Sequence, residues 1–253
     1  MIRTPPGTAG DDDRVKHSRA GRRTVGLDTD SDRHPGGGQY IDGAGGGGGL
    51  LRYRRAAGLY DALSAERRVY GAGRRAGIEM LRLRPGQHVV DVGCGTGLSL
   101  AALREGVLPG GLVTGVDSSA AMLRRARAKV ARRGWDGVRL IRADAAAPSG
   151  PWADPPADAV LFCYSLSVMP NWREALRNAA AAARPGARIA VVDLAVPAGR
   201  WPSAMAARIA CLAGGSNPDR RPWLAVGDIA SHVEHRSLLA GHIHVAAGEL
   251  SPG

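Results

Sequence analysis

Residues 89–99 read VVDVGCGTGLS. A short β-branched run carrying one acid, Asp91, leads directly into Gly93, Gly95 and Gly97, which alternate with small residues. Val89–Val92 reads as a buried strand. Glycines at its end let the backbone approach a ligand with no Cβ in the way. The helix that follows offers N–H groups and a partial positive charge to a carboxylate or phosphate. A dinucleotide fingerprint requires G-x-G-x-x-G, and here Leu98 stands where the third glycine belongs, which disfavours NAD and FAD.

Outward from this turn, strand-like and helix-like stretches alternate. HVVDV is a strand, residues 97–105 read as a helix, and LVTGVD is a second strand. Ser118 or Ser119 caps a helix running to Arg133 and stopped by Gly134. VRLIRAD follows as a strand, and the unbroken apolar run DAVLFCYSL fits a strand covered on both faces. Asn171 opens a helix with Glu174 in a capping-box relation, and Pro185-Gly186 ends it before the strand ARIAVVDL. Residues 202–213 suit a short helix, and SHVEHRS with HIHVAAG suits a closing antiparallel hairpin. Repeated β-α-β units predict an α/β fold with a mostly parallel, doubly wound sheet, helices on both faces and a ligand beyond the carboxyl ends of the strands.

Residues 1–49 contain DDD, HPGGG and GAGGGGG with hardly any apolar side chains, and are expected to be a disordered tail. Residues 50–84 form a helical cover in which Gly71, Gly73 and Gly77 suggest a break, and residues 85–250 form the main domain. Basic residues are nearly all Arg, as a GC-rich coding sequence would produce. The net charge of +11 therefore reads first as solvated Arg-rich helices, with attraction to anionic lipid or nucleic acid as the alternative. Cys94, Cys163 and Cys211 make no CxxC pair, which fits a reducing cytoplasm. No apolar run reaches membrane-span length, so a cytoplasmic protein is expected, with peripheral membrane contact left open. His232, His235, His242 and His244 lack a carboxylate or cysteine at recognisable ligand spacing, so no metal is expected.

The run Asp91-Val92-Gly93-Cys94-Gly95-Thr96-Gly97 resembles the D-x-G-x-G-x-G signature of class I S-adenosylmethionine (SAM) dependent methyltransferases. Asp117 in VTGVDSS and Asp144 in IRADAAA match that family's acids after the second and third strands, over roughly residues 85–248 in order. The resemblance implies a Rossmann-like seven-stranded fold with an antiparallel terminal strand, supplied by HIHVAAG, and SAM as cofactor. It places Asp91 near the cofactor's ammonium, Asp117 beside Ser118 on the ribose hydroxyls, and Asp144 with Ala145 at the adenine. Cys94 fits the glycine turn as a small residue. Asp117 as a helix cap and Asp144 as an exposed loop acid stay open. LYDALSAERRVY resembles the family's N-terminal cover, in which Tyr60 would fold over the cofactor, or simply belong to an apolar stripe. Tyr164 and Ser165, at the exit of the fourth strand, are the candidates nearest the transferred methyl, with core packing the other reading of Tyr164.

YSLSVMPNWREALRNAAAAARPGARIAVVDL is most similar to enzymes that N-methylate betaine-lipid or phosphatidylcholine head groups, close to quinone-biosynthesis C-methyltransferases. The implied reaction is methyl transfer, at nitrogen, to a small or lipid-like acceptor, including an amphiphile presented by a membrane. C- or O-methylation of a quinone or secondary metabolite is the alternative, and an inactive binding protein is the reading from another class. Nucleic acid is disfavoured because YSLS replaces the Asn/Asp-Pro-Pro-aromatic motif of base-amino methylation. The oligomeric state is not legible.

Overall fold

The structure, a computed structural model, describes residues 70–147, 152, 154–196, 215–217 and 219–251. The tail 1–49, the part of the expected cover over 50–69 that carries Tyr60, and the helix expected over 202–213 lie outside the described residues. The elements are α1 (Gly71–Met80), β1 (His88–Val92), α2 (Leu100–Val107), β2 (Leu112–Asp117), α3 (Ala120–Arg133), β3 (Val138–Arg142), β4 (Ala157–Cys163), α4 (Trp172–Ala181), β5 (Ala183–Leu194), β6 (Ala230–Leu238) and β7 (Ile243–Leu250). The strands form one sheet in the order β3-β2-β1-β4-β5-β7-β6. The first five are parallel, and β7 runs antiparallel between β5 and β6. This is the seven-stranded mixed sheet that the sequence predicts.

Side chains alternate between two cores. Val89, Leu161, Ala190, Val192 and Val245 face α1, α2 and α3, whereas Val90, Phe162, Ile189 and Val191 face α4, Trp152 and Trp223. The strand order reverses between β1 and β4, which puts the ligand crevice beyond their carboxyl ends.

Helix signals held unevenly. Ser119 caps α3 by accepting from the Met122 amide, and Gly134 stops it in a left-handed conformation (φ 58°). By contrast, the Asn171 side chain makes no cap bond, because its φ and ψ (−101°, 51°) are not those that turn a cap back onto the helix. Glu174 pairs with Arg177 at 2.8 Å instead. Helix α4 ends at Ala181, before Pro185-Gly186. Those two residues sit in β5, where pairing passes from Ala157↔Ala183 straight to Ala159↔Arg188. A residue without an N–H is tolerated at such a bulge.

The break expected at Gly71, Gly73 and Gly77 is absent, and α1 runs through all three. A Cβ on Gly73 would overlap the Tyr164 hydroxyl and lie 2.7 Å from Ile243 Cγ2, and one on Gly77 would overlap Val192 Cγ2. These glycines let the helix backbone press onto β5 and β7. The helix end is held by Arg188, whose Nε donates to the Met80 carbonyl at 3.0 Å.

Candidate active site

Asp91, near the end of β1, is fully buried at the head of the crevice. The chain then turns so tightly that the Gly93 and Cys94 amides both donate to the Val116 carbonyl, at 2.8 and 2.9 Å. The Gly95 amide donates to Asp117 Oδ2 at 2.9 Å, and Asp117 Oδ1 accepts the Ser119 amide at 2.8 Å. Three successive N–H groups of the turn are therefore spent on the end of β2, and Asp117 ties the turn to the start of α3.

All three turn glycines have positive φ, but their surroundings differ. A Cβ on Gly93 would lie 2.5 Å from Ser165 Cβ, and one on Gly97 would lie 2.6 Å from Leu100 Cδ1. A Cβ on Gly95 would meet nothing within 4 Å. Gly95 alone of the three faces open space, whereas Gly93 and Gly97 make room for protein. Helix α2 begins at Leu100, later than the expected position 97, because the turn extends through Gly97.

A shallow cleft, open to solvent, lies over this turn. Its lining includes Asp91, Gly93, Cys94, Gly95, Thr96, Ser99, Cys163, Tyr164 and, from α1, Arg74. Asp91 Oδ2 is buried without a hydrogen-bond partner. Burial pushes the Asp91 carboxyl up to about 7, with the Arg74 guanidinium pulling it down and Asp117 adding to the rise. Burial likewise raises the Asp117 carboxyl, against its two backbone hydrogen bonds, and raises the Cys94 thiol. Cys163 is pushed up to about 12, chiefly by burial, so neither cysteine is a thiolate near neutral pH.

Tyr164 and Ser165 both sit where β4 exits. Tyr164 has a positive φ (57°), its hydroxyl donates to the Tyr70 carbonyl at 2.8 Å, and the Arg74 guanidinium lies 5.9 Å from its ring centre. Ser165 is buried, and its hydroxyl donates to the Val92 carbonyl at 2.8 Å. Ser118 is exposed, and its carbonyl accepts from Arg142. Asp144 is exposed after β3, with Oδ1 accepting the Ala146 amide at 2.9 Å, and Ala145 beside it is buried. Asp117, Ser118, Asp144 and Ala145 do not line the cleft over the turn; they follow along the same edge of the sheet.

Sequence reasoning missed two features. Arg74 faces Asp91 only because α1 presses onto the sheet, and the signal was the four-residue spacing of Gly73 and Gly77. Asp193 is fully buried in β5, visible in the sequence as an acid inside the apolar run IAVVDL. The histidines pack elsewhere: His244 stacks on Trp223 with centroids 4.3 Å apart, and His235 Nε2 is 3.0 Å from His244 Nδ1.

Residues 89–186 match the family described as "Methyltransferase domain". Nocamycin O-methyltransferase of Saccharothrix syringae is 31% identical over 199 residues, covering 77% of this chain and 62% of its own length. Demethylmenaquinone methyltransferase of Listeria monocytogenes serotype 4a is 32% identical over 124 residues, covering 49% and 52%. The chain thus spans less than two thirds of the length of either relative. A solved SAM-dependent methyltransferase from Aquifex aeolicus superposes with a TM-score of 0.55 at 16% identity, over 78% of this chain and 98% of its own, a likeness of fold. Among the described residues, no helix is long and apolar enough to cross a membrane.

Proposed function

Because the chain belongs to the class I SAM-dependent methyltransferases, we propose that it transfers the methyl group of SAM to a small-molecule acceptor. The observation that carries this reading is Asp91 Oδ2, a buried acceptor without a partner, at the head of a cleft beside the open face of Gly95. A buried unsatisfied carboxylate oxygen is costly, and an ammonium group is the complement it lacks.

In this reading Asp91 takes the ammonium of the cofactor's methionine part, and Arg74 across the cleft takes its carboxylate. Asp117 holds one backbone N–H on each oxygen and has further lone pairs for two ribose hydroxyls, with Ser118 alongside. Asp144 offers its second oxygen to the adenine amino group, beside Ala145. Gly93, Cys94 and Gly97 shape the turn. Ser165 braces the turn through the Val92 carbonyl of β1, and Tyr164 ties the β4 exit to the Tyr70 carbonyl just ahead of α1. Tyr60 would close the site from the N-terminal cover. Bound SAM supplies an electrophilic methyl on sulfur, so the chain's own work is alignment and exclusion of water.

The two curated relatives favour an oxygen or ring-carbon acceptor of the secondary-metabolite or quinone kind. N-methylation of a membrane-presented amphiphile remains the second reading, supported by the net +6 of residues 52–84. Calorimetry with S-adenosylhomocysteine tests the cofactor assignment: micromolar or tighter binding supports it, and no binding by the folded protein overturns it. Transfer of labelled methyl to phenolic, quinone and amine panels then separates the two acceptor readings.

A further inference from the structure

The buried carboxylate of Asp193 sits outside the cleft and is satisfied on every side. Its Oδ1 accepts the Ser167 hydroxyl at 2.6 Å and the Leu194 amide at 2.8 Å, while Oδ2 accepts the Ser167 amide at 2.9 Å. The Ser216 hydroxyl donates in turn to Ser167 Oγ at 2.7 Å. A carboxylate only accepts, so the chain has one direction, from Ser216 through Ser167 to Asp193.

Ser167 belongs to the β4 exit loop, which is gripped from two sides. Toward the glycine turn, Ser165 donates to Val92, and Ser165 and Met169 fill the space that a Gly93 side chain would occupy. Toward the segment beyond β5, the Asn217 amide donates to the Ser167 carbonyl at 3.1 Å and Arg220 Nη1 donates to the Met169 carbonyl at 2.5 Å. This loop therefore links the glycine turn to residues 215–217 and Arg220.

We infer that Asp193 is a positioning residue: through Ser167 and Ser216 it couples cofactor occupancy of the glycine turn to the placement of residues 215–217 and Arg220. The inference rests on the cofactor assignment above. Asp193→Asn breaks the hub in either amide orientation, because the NH₂ then faces the Ser167 amide or the Leu194 amide, and neither backbone donor can turn away. Ser216→Ala is the gentler cut, removing the outer link and leaving the carboxylate satisfied.

The test is hydrogen exchange on the full chain with and without S-adenosylhomocysteine. Exchange of the Asn217 amide in the native protein should slow by about fivefold or more on binding, the lower end of ordinary coupling. In both variants the slowing should persist at residues 93–97 and fall below about twofold at Asn217. Should Asp193→Asn fail to fold, Ser216→Ala decides. Binding with no slowing at Asn217 in the native protein overturns the inference alone, as does full slowing in Ser216→Ala. No binding at all overturns it together with the cofactor assignment, and calorimetry tells the two failures apart.

Discussion

Binding of S-adenosylhomocysteine should release a proton from Asp91. In the free protein the carboxyl is held near 7, above its ordinary 3.8, chiefly by burial. An ammonium against Oδ2 favours the ionised form and returns the group toward its ordinary range. Below pH 7 the ligand must therefore expel a proton, and affinity falls by up to about tenfold per pH unit. From pH 7.5 to 5.5 the dissociation constant should rise by about 30-fold, and it should be flat above the upper pKa. Stability of the free protein moves in the opposite sense. A folded pKa raised above the unfolded value contributes stability that is full below 3.8 and lost as pH climbs through 7. The ceiling on that loss is about 4 kcal/mol, at about 1.4 kcal/mol per unit. Asp91→Asn should thus stabilise the free protein at pH 8 and not at pH 4, weaken the ligand by about 10–100-fold at pH 7.5, and abolish the pH slope. Calorimetry in buffers of differing ionisation enthalpy counts the proton, and urea melts at both pH values give the stability. A flat native affinity from pH 5.5 to 7.5, or an unchanged slope in Asp91→Asn, refutes the reasoning.

Other perturbations probe the surroundings of the site. Asp117→Ala leaves the Gly95 and Ser119 amides without their acceptor, and should weaken S-adenosylhomocysteine by about 100-fold or more while costing about 1–3 kcal/mol in urea melts. Gly77→Ala drives a methyl into Val192 and should cost about 1–3 kcal/mol by overpacking, read as a lowered melting temperature. His88 is buried between the Pro155 carbonyl on Nδ1 and the Thr114 hydroxyl on Nε2, and burial lowers its pKa. Its contribution is present above 6.5 and lost as pH falls, so His88→Gln should flatten the acid limb of the stability profile below pH 6.5.

How far the site was legible depended on whether a residue's task is local or tertiary. Asp91 and the glycines after it announce themselves because a strand-to-helix turn of that tightness needs positive φ within a few residues of an acid. Asp117 was legible as a strand-end acid, but of its two readings the helix-cap one passes to Ser119, which itself caps α3, and Asp117 instead braces that cap and the glycine turn. One oxygen holds the Ser119 amide at the start of α3, the other holds the glycine turn, and lone pairs remain on both. Arg74 was illegible because propensity treats a helix glycine as a defect worth about 1 kcal/mol. Here the missing Cβ atoms at Gly73 and Gly77 are what bring the helix against Val192 and Ile243, and only that approach carries Arg74 over Asp91. The penalty in isolated helix propensity and the gain in placement belong to the same two residues. A one-dimensional reading registers the first and cannot register the second, since Val192, the residue a Gly77 side chain would strike, lies more than a hundred residues away in the chain.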